Sequence, residues 1–186
     1  MNPSDAALLV IDVQKGIDNP KLGPRNNPDA EKKIAELLAA WREAGQPVIH
    51  VKHMSTEPES LLRPGLPGNA IKDEAQPIDG EPLFEKNVHS AFIGTQLESY
   101  LRLSGIESLV IAGLTTEHCV STTARMAANL GFRVTVVADA TATFGRTGYD
   151  GKKYSADVVH GAELASLNGE FATVLESQEI LAVAHR

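Results

Sequence analysis

The chain predicts an α/β fold in which a mostly parallel sheet is covered by helices on both sides. Three observations carry that expectation. Apolar runs of strand length alternate with helix-period segments along the chain. The strongest runs are continuously apolar, as strands buried on both faces are. No repeat, low-complexity tract or linker divides the 186 residues, so a single domain over 1–186 is expected.

Each element follows from local pattern. "AALLVID" is a buried strand that closes on Asp12. In "NPDAEKKIAELLAAWREAG", Pro28 and Asp29 start a helix and Gly45 stops it, with Ile34, Leu37, Leu38 and Trp41 at helical spacing. "PVIHVKH" is a second strand. Residues 54–82, dense in Pro and Gly, leave little room for regular structure; a loop this long is usually functional or disordered. "PLFEK" is a weak short strand, and "GTQLESYLRLSG" a helix with Thr95 as its cap and Gly105 past its end. "ESLVIAGL" is a strong strand, "TEHCVSTTARMAANLG" a helix, and "FRVTVVADA" a strand ending near Asp139. "SADVVHGAELASLNG", "EFATVLE" and "SQEILAVAH" complete the alternation as helix, strand and helix.

Composition narrows the function classes. Hydrophobic residues are 42% and charged residues 22%, ordinary for a globular chain. The net charge of −7 repels phosphate backbones and anionic membranes, so neither nucleic acid nor membrane is an expected partner. The N-terminal stretch has no basic region, and its apolar run is short, so it reads as neither signal peptide nor membrane span. One cysteine makes no internal disulfide, which fits a reducing compartment; the cytoplasm is expected.

In such sheets chemistry gathers outside the carboxyl ends of the strands, near the switch in strand order. Asp12, Lys86, the segment "GLTTEHC" and Asp139 all fall at strand ends. If the helix begins near Thr116, Cys119 lies in its first turn, where free N–H groups and the helix dipole favour thiolate over thiol. The same N–H groups are placed to stabilise an oxyanion. A lone helix cysteine also reads as a small buried hydrophobe, and both readings stand on this evidence from spacing. Asp12 follows an apolar run and needs a partner, either as a base for the thiol or as a cap for a loop. Lys86 matters through its company: nucleophile, base and a cation that holds both charges.

The histidines give no metal pattern. His50 and His53 are three apart on a strand and point to opposite faces. His89 and His118 sit beside candidate residues, and His160 reads as a hydrogen-bonded structural group. Neither HExxH nor CxxC occurs, so no metal is expected. Neither GxGxxG nor GxxxxGK[ST] occurs, which removes the usual phosphate cradle; no cofactor is expected.

"LLVIDVQ", "FEKNVHSAF", "GLTTEHCVSTTARMAANLGF" and "VTVVADATATF", in that order, resemble the isochorismatase-like cysteine hydrolases across nearly the whole chain. The resemblance implies a Rossmann-like three-layer α/β/α sandwich around a six-stranded, mostly parallel sheet. It implies a catalytic triad of Asp12, Lys86 and Cys119, a cis peptide between Leu114 and Thr115, and an oxyanion hole from the N–H groups of Thr115 and Cys119. Nicotinamidases in that family carry a metal on an acid-x-histidine pattern, and "VIHVKHMST" lacks the acid. Isochorismatases proper cleave a vinyl ether without the cysteine. Retention of Cys119 with Asp12 and Lys86 therefore implies hydrolysis of a C–N bond in a small amide, ureide or carbamoyl substrate. The alternatives are a non-catalytic binding member of the fold and a metal-dependent nicotinamidase-type amidase. Phe92 and Phe144 are placed as pocket walls and Arg146 as a contact for an anionic group. Family precedent implies a homo-oligomer, dimer or tetramer. "GPRNNP" reads only as a turn and a helix start.

Overall fold

The computed structural model describes residues 6–184. Six parallel strands form the sheet: β1 (Ala7–Ile11), β2 (Val48–His53), β3 (Leu83–Lys86), β4 (Ser108–Leu114), β5 (Arg133–Ala142) and, after a two-stranded antiparallel ribbon of β6 (Arg146–Thr147) and β7 (Lys153–Tyr154), β8 (Thr173–Leu175). Their order across the sheet is β3-β2-β1-β4-β5-β8, and every adjacent pair is parallel. The order reverses direction between β1 and β4, which makes their carboxyl ends the natural crevice.

The helices are α1 (Ala30–Glu43), α2 (Leu97–Leu103), α3 (Ser121–Asn129), α4 (Ala156–Leu167) and α5 (Ser177–Ala184). Period-2 alternation along β1 explains why it is apolar throughout. Ala7, Leu9 and Ile11 join one core with Leu97, Leu101 and Val120. Ala6, Leu8 and Val10 join the other with Ile34, Leu37, Leu38 and Trp41 of α1. Trp41 also donates its indole N–H to the Ala6 carbonyl at 2.8 Å, satisfying its one polar atom. Gly113 lets β4 lie against β1: its φ is +136°, and a Cβ there would meet the Ile11 carbonyl oxygen at 2.1 Å.

Some boundaries differ from the sequence reading. Strand β5 continues past Asp139 to Ala142, with a register shift opposite Ile111 and Gly113 on β4. Asp139 therefore leaves the strand-end crevice: its carboxylate accepts from the Ser177 N–H at 2.7 Å and the Ser177 hydroxyl at 2.6 Å, closing the start of α5. Two short 3-10 turns, Lys15–Asp18 and Pro20–Leu22, follow β1. "GPRNNP" has a structural account as well. Asn26 Oδ1 accepts from the Thr143 N–H at 2.7 Å, and Asn27 Nδ2 donates to the carbonyls of Ala138 and Thr141. The stretch is stitched to the end of β5, beside the crevice.

Candidate active site

Asp12 is the first residue past β1 and sits in the left-handed region, at φ +52°. That conformation is unfavourable for a non-glycine residue, and Asp is among the side chains that tolerate it. Lys86 is the last residue of β3, and Cys119 lies beyond β4. The Leu114–Thr115 peptide is cis. Residues Thr116–Val120 then form a wide π-type turn, with the Val120 N–H reaching the Thr115 carbonyl, before α3 begins at Ser121.

These three side chains meet. The Lys86 ammonium, fully buried, donates to Asp12 Oδ2 at 2.5 Å, to His53 Nδ1 at 3.1 Å and to Cys119 Sγ at 3.3 Å. An ammonium has three N–H groups, and each has an acceptor. Asp12 Oδ1 is buried and has no hydrogen-bond partner among the described residues. It is one acceptor open to the thiol hydrogen; His89 Nδ1, 3.6 Å from Sγ, is another.

The expected stabilisation of a thiolate meets an opposing force in the fold. Burial pushes the Cys119 thiol well above its usual range, and the neighbouring Asp12 charge adds to it. Lys86 pulls the other way and does not offset them. The π-type turn also takes Cys119 out of a regular helix's first turn. Burial thus works against a standing thiolate at this position.

His53 completes the floor of the site. Because Lys86 donates to its Nδ1, the ring is neutral, and burial followed by the Lys86 charge lowers its pKa. Gln14, fully buried, fixes the end of β2: its amide donates to the carbonyls of His53 and Asn69, and its oxygen accepts from the His53 N–H at 2.8 Å. Asn69 in turn donates to the carbonyls of His53 and Leu62. Sequence spacing gave no signal for Gln14 or Asn69 beyond a glutamine two residues after Asp12. The loop backbone they bind has no local periodicity.

A cavity of about 240 Å³ opens above the sulfur. Ile17, Leu22, Leu62, Leu114 and Phe144 give it apolar walls, while His53, His89, His118, Thr115 and Arg146 give it polar atoms. Phe92 is not among them. It is buried and stacks on Phe132 at 5.9 Å between ring centres, inside the core that covers one face of the sheet. Its assignment as a pocket wall is therefore corrected: the turn after Lys86 directs Phe92 under α2 and α3. Arg146 reaches the cavity with its guanidinium already paired to Glu117, through Nε at 2.8 Å and a second short contact. His160 bonds Thr116 Oγ1 at 2.9 Å, holding the nucleophile segment from α4.

A resident metal does not fit this donor set. Asp12, His53 and Cys119 present ligand atoms within 4.8 Å of one another, but the Lys86 ammonium bonds all three. Val48 and Val51, both buried, stand two residues ahead of His50 and His53, where the acid of an acid-x-histidine pattern would be. His50 is committed elsewhere, to Glu81 at 2.8 Å.

Comparison with known proteins agrees with this architecture. The family model for the Isochorismatase domain matches residues 6–179. The uncharacterized isochorismatase family protein YrdC of Bacillus subtilis (strain 168) is 47% identical over 175 residues, covering 94% of each chain. The ureidoacrylate amidohydrolase RutB of Stutzerimonas stutzeri (strain A1501) is 31% identical over 176 residues, 76% of this chain and 71% of that protein. Among solved structures, an isochorismatase-family protein from Chromobacterium violaceum ATCC 12472 superposes with a TM-score of 0.95 at 48% identity, covering 98% of this chain and 94% of that one.

Proposed function

This chain belongs to the isochorismatase family, and from that premise we propose that it is a cysteine-dependent hydrolase of small amide, ureide or carbamoyl C–N bonds, working through a thioester. The observation that carries the reading is one buried ammonium bonded to both a carboxylate and a thiol at the floor of a small cavity.

The chemistry follows from these contacts. Asp12 Oδ1 takes the thiol proton as Sγ attacks the substrate carbonyl. The thiolate forms only as it is used, with the Lys86 ammonium, bonded to both Asp12 and Cys119, holding the charge that develops on sulfur. The N–H of Thr115, which has no partner among the described residues, and that of Cys119 receive the oxyanion. Asp12 returns its proton to the leaving nitrogen, and ammonia or an amine departs. Water then cleaves the thioester.

Two further features support this reading. The cavity suits a small acyl group rather than a peptide. A relative at 31% identity is named as an amidohydrolase. A homo-oligomer belongs to the same proposal: in α4 (ADVVHGAELASL), a largely apolar helix, only Leu167 is fully buried, a pattern that an apposed copy would complete. No described helix is long and apolar enough to cross a membrane.

The test is ammonia release from a panel of small amides, ureides and carbamoyl compounds, with wild type beside Cys119→Ala and Asp12→Asn. Release by wild type alone supports the proposal. Equal release by Cys119→Ala, or none by wild type from any member, contradicts it.

A further inference from the structure

We propose that His89 is the general base for the second half-reaction, the attack of water on the thioester. This rests on the thioester reading above and assigns a residue to a step that the buried trio serves poorly. Asp12 lies beneath the sulfur, 1% exposed, with one oxygen held by Lys86. The attacking water arrives from the cavity mouth, on the other side of the acyl carbon.

Three histidines line the cavity, and their contacts separate them. His53 is committed on both sides, accepting from Lys86 at Nδ1 and meeting the Val88 backbone. His118 turns Nε2 towards Glu117, 3.9 Å away, and its ring lies 5.4 Å from that of His89. His89 alone of the three neighbours the sulfur without being held by Lys86: its Nδ1 is 3.6 Å from Cys119 Sγ. Its ring stacks on His53 at 6.3 Å. Among the described residues it has no carboxylate partner, and it is open to solvent. A water beside the acyl carbon of a Cys119 thioester lies within reach of that nitrogen.

The step balances without any further reactant. Water gives one proton to His89 Nδ1 as its oxygen bonds to the acyl carbon. The carbon–sulfur bond breaks, its electron pair returns to Sγ beside the Lys86 ammonium, and the acid leaves. The imidazolium then protonates Sγ, restoring thiol and neutral imidazole.

The probe is p-nitrophenyl acetate, whose acyl transfer releases p-nitrophenolate and leaves acetyl on the thiol. In His89→Gln the burst of p-nitrophenolate persists and slows far less than the steady turnover. Steady turnover falls roughly 100-fold, the usual contribution of a positioned base, and acetyl-Cys119 accumulates in the mass spectrum. His89→Ala behaves alike, and added imidazole speeds the loss of acetyl from Cys119, followed in the mass spectrum after excess ester is removed, since free imidazole also cleaves the ester directly. Unchanged steady turnover in both variants, a burst that slows in step with turnover, or no response to imidazole overturns the proposal. If wild type never carries acetyl on Cys119 and Cys119→Ala turns over equally, the thioester reading itself fails, and this proposal with it.

Discussion

Removing the Lys86 ammonium is the sharpest perturbation of the site. Lys86→Met keeps the apolar stem and deletes the cation that bonds Asp12, His53 and Cys119. The Lys86 side chain is 0% exposed and that of Asp12 2%, so the carboxylate left behind is largely shielded from solvent. Breaking a buried pair by deleting one member costs about 3–5 kcal/mol, most of it the uncompensated charge. Asp12→Asn creates the mirror problem, a buried ammonium short of its counter-charge, at a similar cost; Asn suits the left-handed backbone at this position. Removing both charges together relieves both penalties. The double variant is thus less destabilised than the summed singles by at least ~2 kcal/mol. Urea unfolding of the four proteins, read by circular dichroism, measures that coupling. Additive losses, with coupling within about 0.5 kcal/mol, would refute the view that these charges compensate each other in a dry site.

The remaining predictions reach the fold and the pocket walls. Gly113→Ala drives a Cβ into the Ile11 carbonyl at a positive φ, so it destabilises by roughly 4 kcal/mol or more, seen as a collapse in thermal midpoint or soluble yield. Phe92→Ala costs about 3–5 kcal/mol of stability and leaves KM unchanged, because its ring packs on Phe132 rather than in the cavity. Phe144→Leu does the reverse, raising KM about tenfold at little cost in stability, since Phe144 does line the cavity. Acid unfolding reports the loop anchors. Burial pushes the Glu31 carboxyl up, but hydrogen bonds and charge from Arg25 and Lys72 hold it at about 2. For Glu81, burial is likewise outweighed by Arg42, the Ile78 backbone and His50, again to about 2. A depressed carboxyl stabilises fully above its unfolded pKa and loses that contribution as pH falls through its folded value. Up to roughly 3 kcal/mol per group therefore disappears between about pH 4.5 and 2 in a urea titration. Glu31→Gln flattens its share of that slope.

How much was legible in the sequence depends on whether order is local. The run "AALLVI" announced a strand because both of its faces are buried, three side chains in each core. Gly45 and the spacing of Ile34, Leu37, Leu38 and Trp41 bounded α1 for equally local reasons. The strand-end rule singled out Asp12, Lys86 and Cys119, and these side chains are in contact through Lys86. Residues 54–82 were opaque because their order is not periodic. It comes from buried amides, Gln14 and Asn69, that bind backbone outside their own segments, at Asn69 and His53. Close packing adds to it: a Cβ on Gly16 would meet Leu62 Cδ2 at 2.8 Å, and one on Gly68 would meet the Leu61 carbonyl at 2.7 Å. Phe92 and Asp139 were misplaced for a related reason. Pattern gives a residue's position along the chain, whereas one turn after Lys86 and one register shift in β5 decide which way each points. The state of the thiol was illegible too, since burial outweighs the dipole argument that spacing suggests.

The proposed mechanism requires covalent chemistry at Cys119 driven by Asp12. The most direct measurement is an acid quench during turnover of an ammonia-releasing substrate from the panel, followed by peptide mapping. The expected result is the acyl group on the peptide that carries Cys119, absent from Asp12→Asn and from Cys119→Ala. Turnover with no adduct on that peptide, or an adduct that still forms at full rate in Asp12→Asn, would contradict it.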